Sequence, residues 1–181
     1  NGLKRTHGMR NFYCVNSEKY REKAAALAEQ MALRYKDYPG LVAWHVANEY
    51  STFCHCENCE KKFRLWLKKK YGTVEELNKR WNTSFWGRTI YNFDTIMLPT
   101  ERNDDDRFFP AKQLDYQRFV TDTTEECFLN EANVLRRITP DIPVFSNISG
   151  FIKKLNQFQL TRNMDVVGWD NYPSPKDDAA F

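Results

Sequence analysis

The chain has 181 residues, 41% of them hydrophobic and 15% aromatic, with 27 Lys and Arg against 24 Asp and Glu. That is enough chain for one sizeable core, and its composition excludes a disordered or low-complexity segment. A net charge of +3 with both signs interspersed does not mark a nucleic-acid binder, and no apolar run approaches the ~20 residues of a membrane span.

Apolar residues Tyr20, Ala24, Leu27, Ala28, Met31 and Tyr35 recur at helical spacing between Asn16 and Tyr38. They predict an amphipathic helix, capped by Asn16 or Ser17 and stopped by Pro39-Gly40. Leu41 to Ala47 is a nearly unbroken apolar run, the habit of a parallel strand covered on both faces. Glu60 to Tyr71 predicts a helix closed by Gly72, and Thr73 to Trp81 a second, opened by a Thr-x-x-Glu capping box. Ser84 to Asp106 is irregular and ends acidic, so it is expected as a surface excursion. Leu114 to Ile138 predicts a long helix with Cys127 on its core face, ended by Pro140 and Pro143. A short strand from Val144 to Ser146, a helix over about 151–161 and a last strand from Asp165 to Trp169 complete the order. Helices alternating with short apolar strands specify a parallel α/β sheet.

The strands end in polar residues: Asn48-Glu49, Asn147, and Asp170-Asn171-Tyr172. In parallel sheets the active site gathers at these carboxyl ends, so Glu49, flanked by Trp44, His45 and Tyr50, is the candidate acid/base. Amides and carboxylates beside tryptophans suit a sugar, whose hydroxyls need hydrogen bonds and whose C–H faces stack on rings. The competing reading is that Asn and Asp are common in turns.

Five cysteines are present, and Cys54, Cys56 and Cys59 are close enough for one turn to aim three sulfurs at a soft metal. Cys14 is the candidate fourth ligand, with His55 the substitute and metal-free thiols the alternative. Four thiolates make a closed tetrahedral zinc site, structural rather than catalytic.

The string Trp44-His45-Val46-Ala47-Asn48-Glu49-Tyr50 with the cysteine cluster resembles family 42 of the glycoside hydrolases, the β-galactosidases. So do Leu77-Asn78-x-x-Trp81-Asn82-Thr83-x-Phe85-Trp86, Arg10 with Tyr13-Cys14, and Trp169-Asp170-Asn171-Tyr172-Pro173. The resemblance runs over essentially the whole chain. It implies a (β/α)8 barrel of which residues 1–181 form one partial domain, about strands four to six with their helices. It implies retaining hydrolysis of terminal β-galactosides, with Glu49 as acid/base and Asn48 holding the sugar 2-hydroxyl. By the same resemblance Trp86, Tyr172 and Arg10 contact the galactose, and Cys14, Cys54, Cys56 and Cys59 hold the zinc. The family's nucleophile is a Glu on a later strand, beyond Phe181, so the segment alone is expected to be inactive, with bare sheet edges. A homo-oligomer, a trimer in the family, is implied by the resemblance; reduced cysteines point to the cytoplasm, and the charge and apolar-run lengths to neither nucleic acid nor membrane as partner. The alternatives are a barrel glycosidase of other sugar specificity and a non-catalytic, zinc-stabilised carbohydrate-binding fragment.

Overall fold

A computed structural model describes residues 13–51, 53–99, 109–150 and 152–173. In chain order the elements are α1 (Glu18–Tyr35), β1 (Trp44–His45), α2 (Glu57–Tyr71), α3 (Val74–Trp81), α4 (Pro110–Ile138), β2 (Val144–Ser149), α5 (Gln157–Thr161) and β3 (Val166–Asp170). Short 3-10 turns at Phe85–Gly87 and Phe93–Thr95 lie between α3 and α4. The chain divides into two compact units, one drawn from Asn1–Arg21 and Thr52–Thr123, the other from Glu22–Ser51 and Thr124–Phe181.

The first unit is a helical core built on aromatic packing. Phe63 of α2 meets Tyr116 edge-on at 5.7 Å and Phe119 at 5.3 Å, both on α4. Leu67, Leu77 and Trp81 are buried with them. Thr73 caps α3 by accepting the Glu76 N–H at 3.2 Å, as the capping box predicts. The expected surface excursion is only partly one. Ile96 and Leu98 are buried, and Arg64 of α2 donates from Nε to the Ile96 carbonyl at 2.7 Å, so this stretch packs against α2. The acidic run Asp104 to Asp106 lies outside the described residues.

Asp115, on α4, is the electrostatic centre of this unit. Its side chain is 2% exposed and accepts hydrogen bonds from Lys70 Nζ, Tyr71 Oη and Trp81 Nε1. Arg118 adds a contact at 3.2 Å. Burial pushes its pKa up, but the donors from Lys70, Tyr71 and Trp81 outweigh that and hold it below the usual carboxylate range. One carboxylate thereby joins α2, α3 and α4.

The second unit carries a three-stranded parallel sheet in the order β1-β2-β3. Trp44 pairs with Val144, and Phe145 through Ser149 pair with Val166 through Asp170. Trp44 is buried and donates from Nε1 to Thr139 Oγ1 at 2.9 Å, seating β1 against the end of α4. Asp165 fixes the start of β3: its carboxylate accepts the Val144 N–H at 2.8 Å and Arg136 at 3.2 Å. Cys127 is buried in the core, as expected.

Several boundaries differ from expectation for local reasons. Strand β1 is shorter than Leu41–Ala47, and its carboxyl end is set where the backbone turns left-handed at Ala47 (φ 55). It is also not covered on both faces, since His45 is exposed. Strand β2 runs through Asn147 to Ser149 rather than stopping before it, and α5 is confined to Gln157–Thr161. Helix α4 begins at Pro110, whose fixed φ suits a first helical turn. Helix α1 buries Ala28 and Ala32, whereas Leu27, Met31 and Tyr35 of its expected core face are exposed.

Replacing Asp115 by Ala should cost about 2 kcal/mol, because it leaves the buried Trp81 N–H without its acceptor and removes the partner of Lys70 and Tyr71. Because the folded pKa of Asp115 is lowered, its contribution is present above the unfolded carboxylate pKa of about 3.9 and is lost as pH falls below it. Thermal unfolding of wild type and Asp115→Ala from pH 7 to pH 3 should show the gap between them closing on the acid side.

Candidate active site and thiol cluster

The peptide leaving β1 carries the candidate acid/base. Ala47 (φ 55) and Glu49 (φ 44) both lie in the left-handed region, unfavourable for residues with a Cβ and persistent only where surroundings over-determine it. The backbone therefore kinks on both sides of Asn48. The Asn48 amide donates from Nδ2 to Glu49 Oε2 at 3.4 Å.

Asn147, on β2, meets this turn from the neighbouring strand. Its Oδ1 accepts the Glu49 backbone N–H at 2.9 Å and lies 3.0 Å from His45 Nε2. Its Nδ2 donates to Asn48 Oδ1 at 3.1 Å and to Asp170 Oδ2, at the end of β3, at 2.6 Å. His45 stacks on Phe145 with ring centroids 4.9 Å apart. The structure thus gathers Asn48, Glu49 and Asp170 at the carboxyl ends of β1 and β3, around Asn147, which lies inside β2 rather than at its expected end. His45 is the member that sequence reasoning left without a role; its place two residues before Ala47, facing the same strand end as Glu49, was the available signal.

Tyr172 follows two residues after Asp170 and is 72% exposed. Trp86 belongs to the first unit, where it adopts φ 57, is 67% exposed, and stacks on Phe85 at 4.6 Å. The Arg88 guanidinium lies 5.3 Å from its ring centroid. Arg10 and His7 lie outside the described residues.

The thiols of Cys14, Cys54, Cys56 and Cys59, all in the first unit, lie within 4.8 Å of one another, close enough to hold a metal ion. Cys14 Sγ is 3.4 Å from Cys59 and 3.6 Å from Cys56, far beyond a disulfide bond. Cys14, not His55, completes the set: the His55 ring nitrogens face the carbonyls of Phe53 (3.2 Å) and Pro99 (3.0 Å). Asn16, itself buried, donates from Nδ2 to Cys59 Sγ at 3.4 Å. Tyr116 anchors the loop to the aromatic core by donating to the Cys54 carbonyl at 2.8 Å. Hydrogen bonds from Cys14 and Cys59 push the Cys54 thiol pKa down, and the same sharing pushes Cys14 and Cys59 up. Four crowded thiols can share one negative charge among themselves; a cation lets the others ionise as well.

The family profile of glycoside hydrolase family 42, described as β-galactosidase, matches residues 1–180. The β-galactosidase BgaP of Planococcus sp. (strain L4) is 46% identical over 177 residues, 96% of this chain and 26% of that protein. A crystal structure of β-galactosidase from Bacillus circulans sp. alkalophilus superimposes with a TM-score of 0.88 at 48% identity, over 96% of this chain and 26% of that one. A catalytic mutant of Gan42B, a family 42 β-galactosidase from G. stearothermophilus, gives a TM-score of 0.91 at 38% identity, covering 98% of this chain and 27% of that one. The chain spans about a quarter of the length of the relatives it matches. A profile match over nearly every residue, with close relatives of the same description, places this chain in the family 42 β-galactosidases.

Proposed function

We propose that this chain is the central segment, about strands four to six, of the (β/α)8 barrel of a retaining β-galactosidase. The observation that carries the reading is the kinked Asn48-Glu49 turn at the carboxyl end of a parallel strand, where such barrels do their chemistry. Glu49 is the acid/base. In the first step it protonates the glycosidic oxygen as that bond to the anomeric carbon breaks and a second carboxylate attacks from the opposite face. In the second it takes a proton from water, whose oxygen displaces that carboxylate and releases galactose. The second carboxylate, a Glu on a later strand of the whole protein, lies outside this sequence, so the segment alone does not turn over substrate. The two must stand roughly 5–5.5 Å apart for retention. By the family resemblance, Asn48 takes the sugar 2-hydroxyl, and Arg10, Trp86 and Tyr172 are the galactose-contacting residues.

The four thiolates hold one zinc ion, whose role is structural. A tetrahedral ion with zinc–sulfur bonds of about 2.3 Å sets its sulfurs about 3.8 Å apart. The separations of 3.4 Å and 3.6 Å seen here and the outer limit of 4.8 Å bracket that distance. An all-cysteine set leaves no open position for substrate, so no step of the hydrolysis runs through the metal. Free thiols suit a reducing compartment, which supports a cytoplasmic setting. No described helix is long and apolar enough to cross a membrane. Assembly as a homo-oligomer, a trimer by family resemblance, completes the reading.

In the full-length protein, Glu49→Ala should lower turnover of a β-galactoside about 100-fold to 10,000-fold. On an activated aryl β-galactoside, azide should restore turnover and yield β-galactosyl azide. A mutant as active as wild type would remove Glu49 from the chemistry, and an inert wild type would favour a non-catalytic carbohydrate-binding protein. Elemental analysis should find one zinc per chain, lost together with thermal stability in Cys59→Ser while the relative activity on different leaving groups is unchanged.

A further inference from the structure

We propose that Asn147 is the positioning residue of the Asn48-Glu49 turn, held in its own orientation by Asp170. The inference rests on the reading of Glu49 as acid/base and goes beyond it by naming what aims that residue.

The orientation of the Asn147 amide follows from partners of fixed character. The Glu49 backbone N–H can only donate, so the atom facing it is Oδ1. The Asp170 carboxylate can only accept, so the atom facing it is Nδ2. His45 Nε2 faces the same Oδ1 and must therefore carry a proton. Asn48 faces Nδ2 with its oxygen, which leaves the Asn48 amino group turned toward Glu49 Oε2. An asparagine has two acceptor sites and two donor protons, and Asn147 uses all of them on the protein. It has none left for a sugar, so its place on β2 is explained by support of the turn.

Support is needed there. The φ values of 55 at Ala47 and 44 at Glu49 lie in a costly region, and the hydrogen bond from the Glu49 N–H to Asn147 helps fix the second of them. Asn147 itself is buried, and its main chain is closely packed. It pairs with Gly168 of β3, where an added Cβ would stand 3.3 Å from Asn147 Cα. The sequence Asp170–Asn147–Asn48–Glu49 is thus a continuous chain of amide donors and oxygen acceptors ending on the candidate acid.

The test uses the full-length protein and two β-galactosides, one with a dinitrophenyl leaving group that departs without a proton, the other with a simple alkyl leaving group that needs one. Active enzyme is counted by trapping the glycosyl-enzyme with a 2-fluoro-galactoside. Per active site, Asn147→Ala should lose about 100-fold in kcat/KM on the alkyl galactoside, the scale expected for a misplaced catalytic group, and about tenfold or less on the dinitrophenyl one. Asp170→Asn, which weakens the same amide contact with less disturbance of the fold, should show the same selectivity at smaller size. Equal losses on both substrates in these variants, with Glu49→Gln still selective for the alkyl galactoside, would overturn the positioning role and leave Glu49 as the acid. A Glu49→Gln variant that loses equally on both would overturn the acid/base reading, and this inference with it.

Discussion

Parallel strands hydrogen-bond through their backbones along their length, but nothing in that ladder fixes the residues that leave the strand ends. Here one side chain does so. Asn147, midway along the central strand, reaches the turn after β1 with both ends of its amide and the end of β3 with its nitrogen. The left-handed residues that follow β1, and the placement of exposed Asn48 beside half-buried Glu49, are compatible with that anchor and costly without it. Buried polar groups that use their full hydrogen-bonding capacity specify a single arrangement more sharply than apolar contacts do.

The helical unit is organised on the same principle with charge in place of an amide. Asp115 is a buried carboxylate whose donors come from two other helices, so α2 supplies the Lys70 charge and α3 the Trp81 N–H that its burial requires. The thiol cluster adds a second pole, connected to the aromatic core through Tyr116 and shielded by the Asn16 amide. Burial, followed by the charges of the four cysteines, pushes the Tyr116 phenol pKa upward, so this tyrosine stays a hydrogen-bond donor to the Cys54 carbonyl.

Much of this was legible in the sequence. The alternation of helix and strand specified the parallel sheet, the Thr-x-x-Glu box located α3, and cysteine spacing located the thiol cluster. Periodicity could not tell which stripe of α1 is buried, because Ala28 and Ala32 lie beside the larger apolar residues and the small ones make the contact. Nor could it set the end of β1, decided by left-handed residues that composition does not mark. At the candidate site the residues were visible and their division of labour was not. Asn147 read as a group offered to a ligand, whereas its hydrogen bonds are all taken up by the protein. The string Leu77-Asn78-x-x-Trp81 proves largely architectural: Asn78 clamps the Ile90 backbone through both ends of its amide, and Trp81 serves Asp115.

The spacing of the cysteines sets an order of assembly. Cys54, Cys56 and Cys59 are neighbours in the unfolded chain, whereas Cys14 is 40 residues upstream of Cys54. Bringing it in closes a loop at an entropic cost of about 3 kcal/mol from its length alone. A metal held by the local trio would keep one coordination position for the distant sulfur. Metal capture by the trio could thus precede folding of this unit, and the arrival of Cys14 would convert a loose local chelate into a long-range tether.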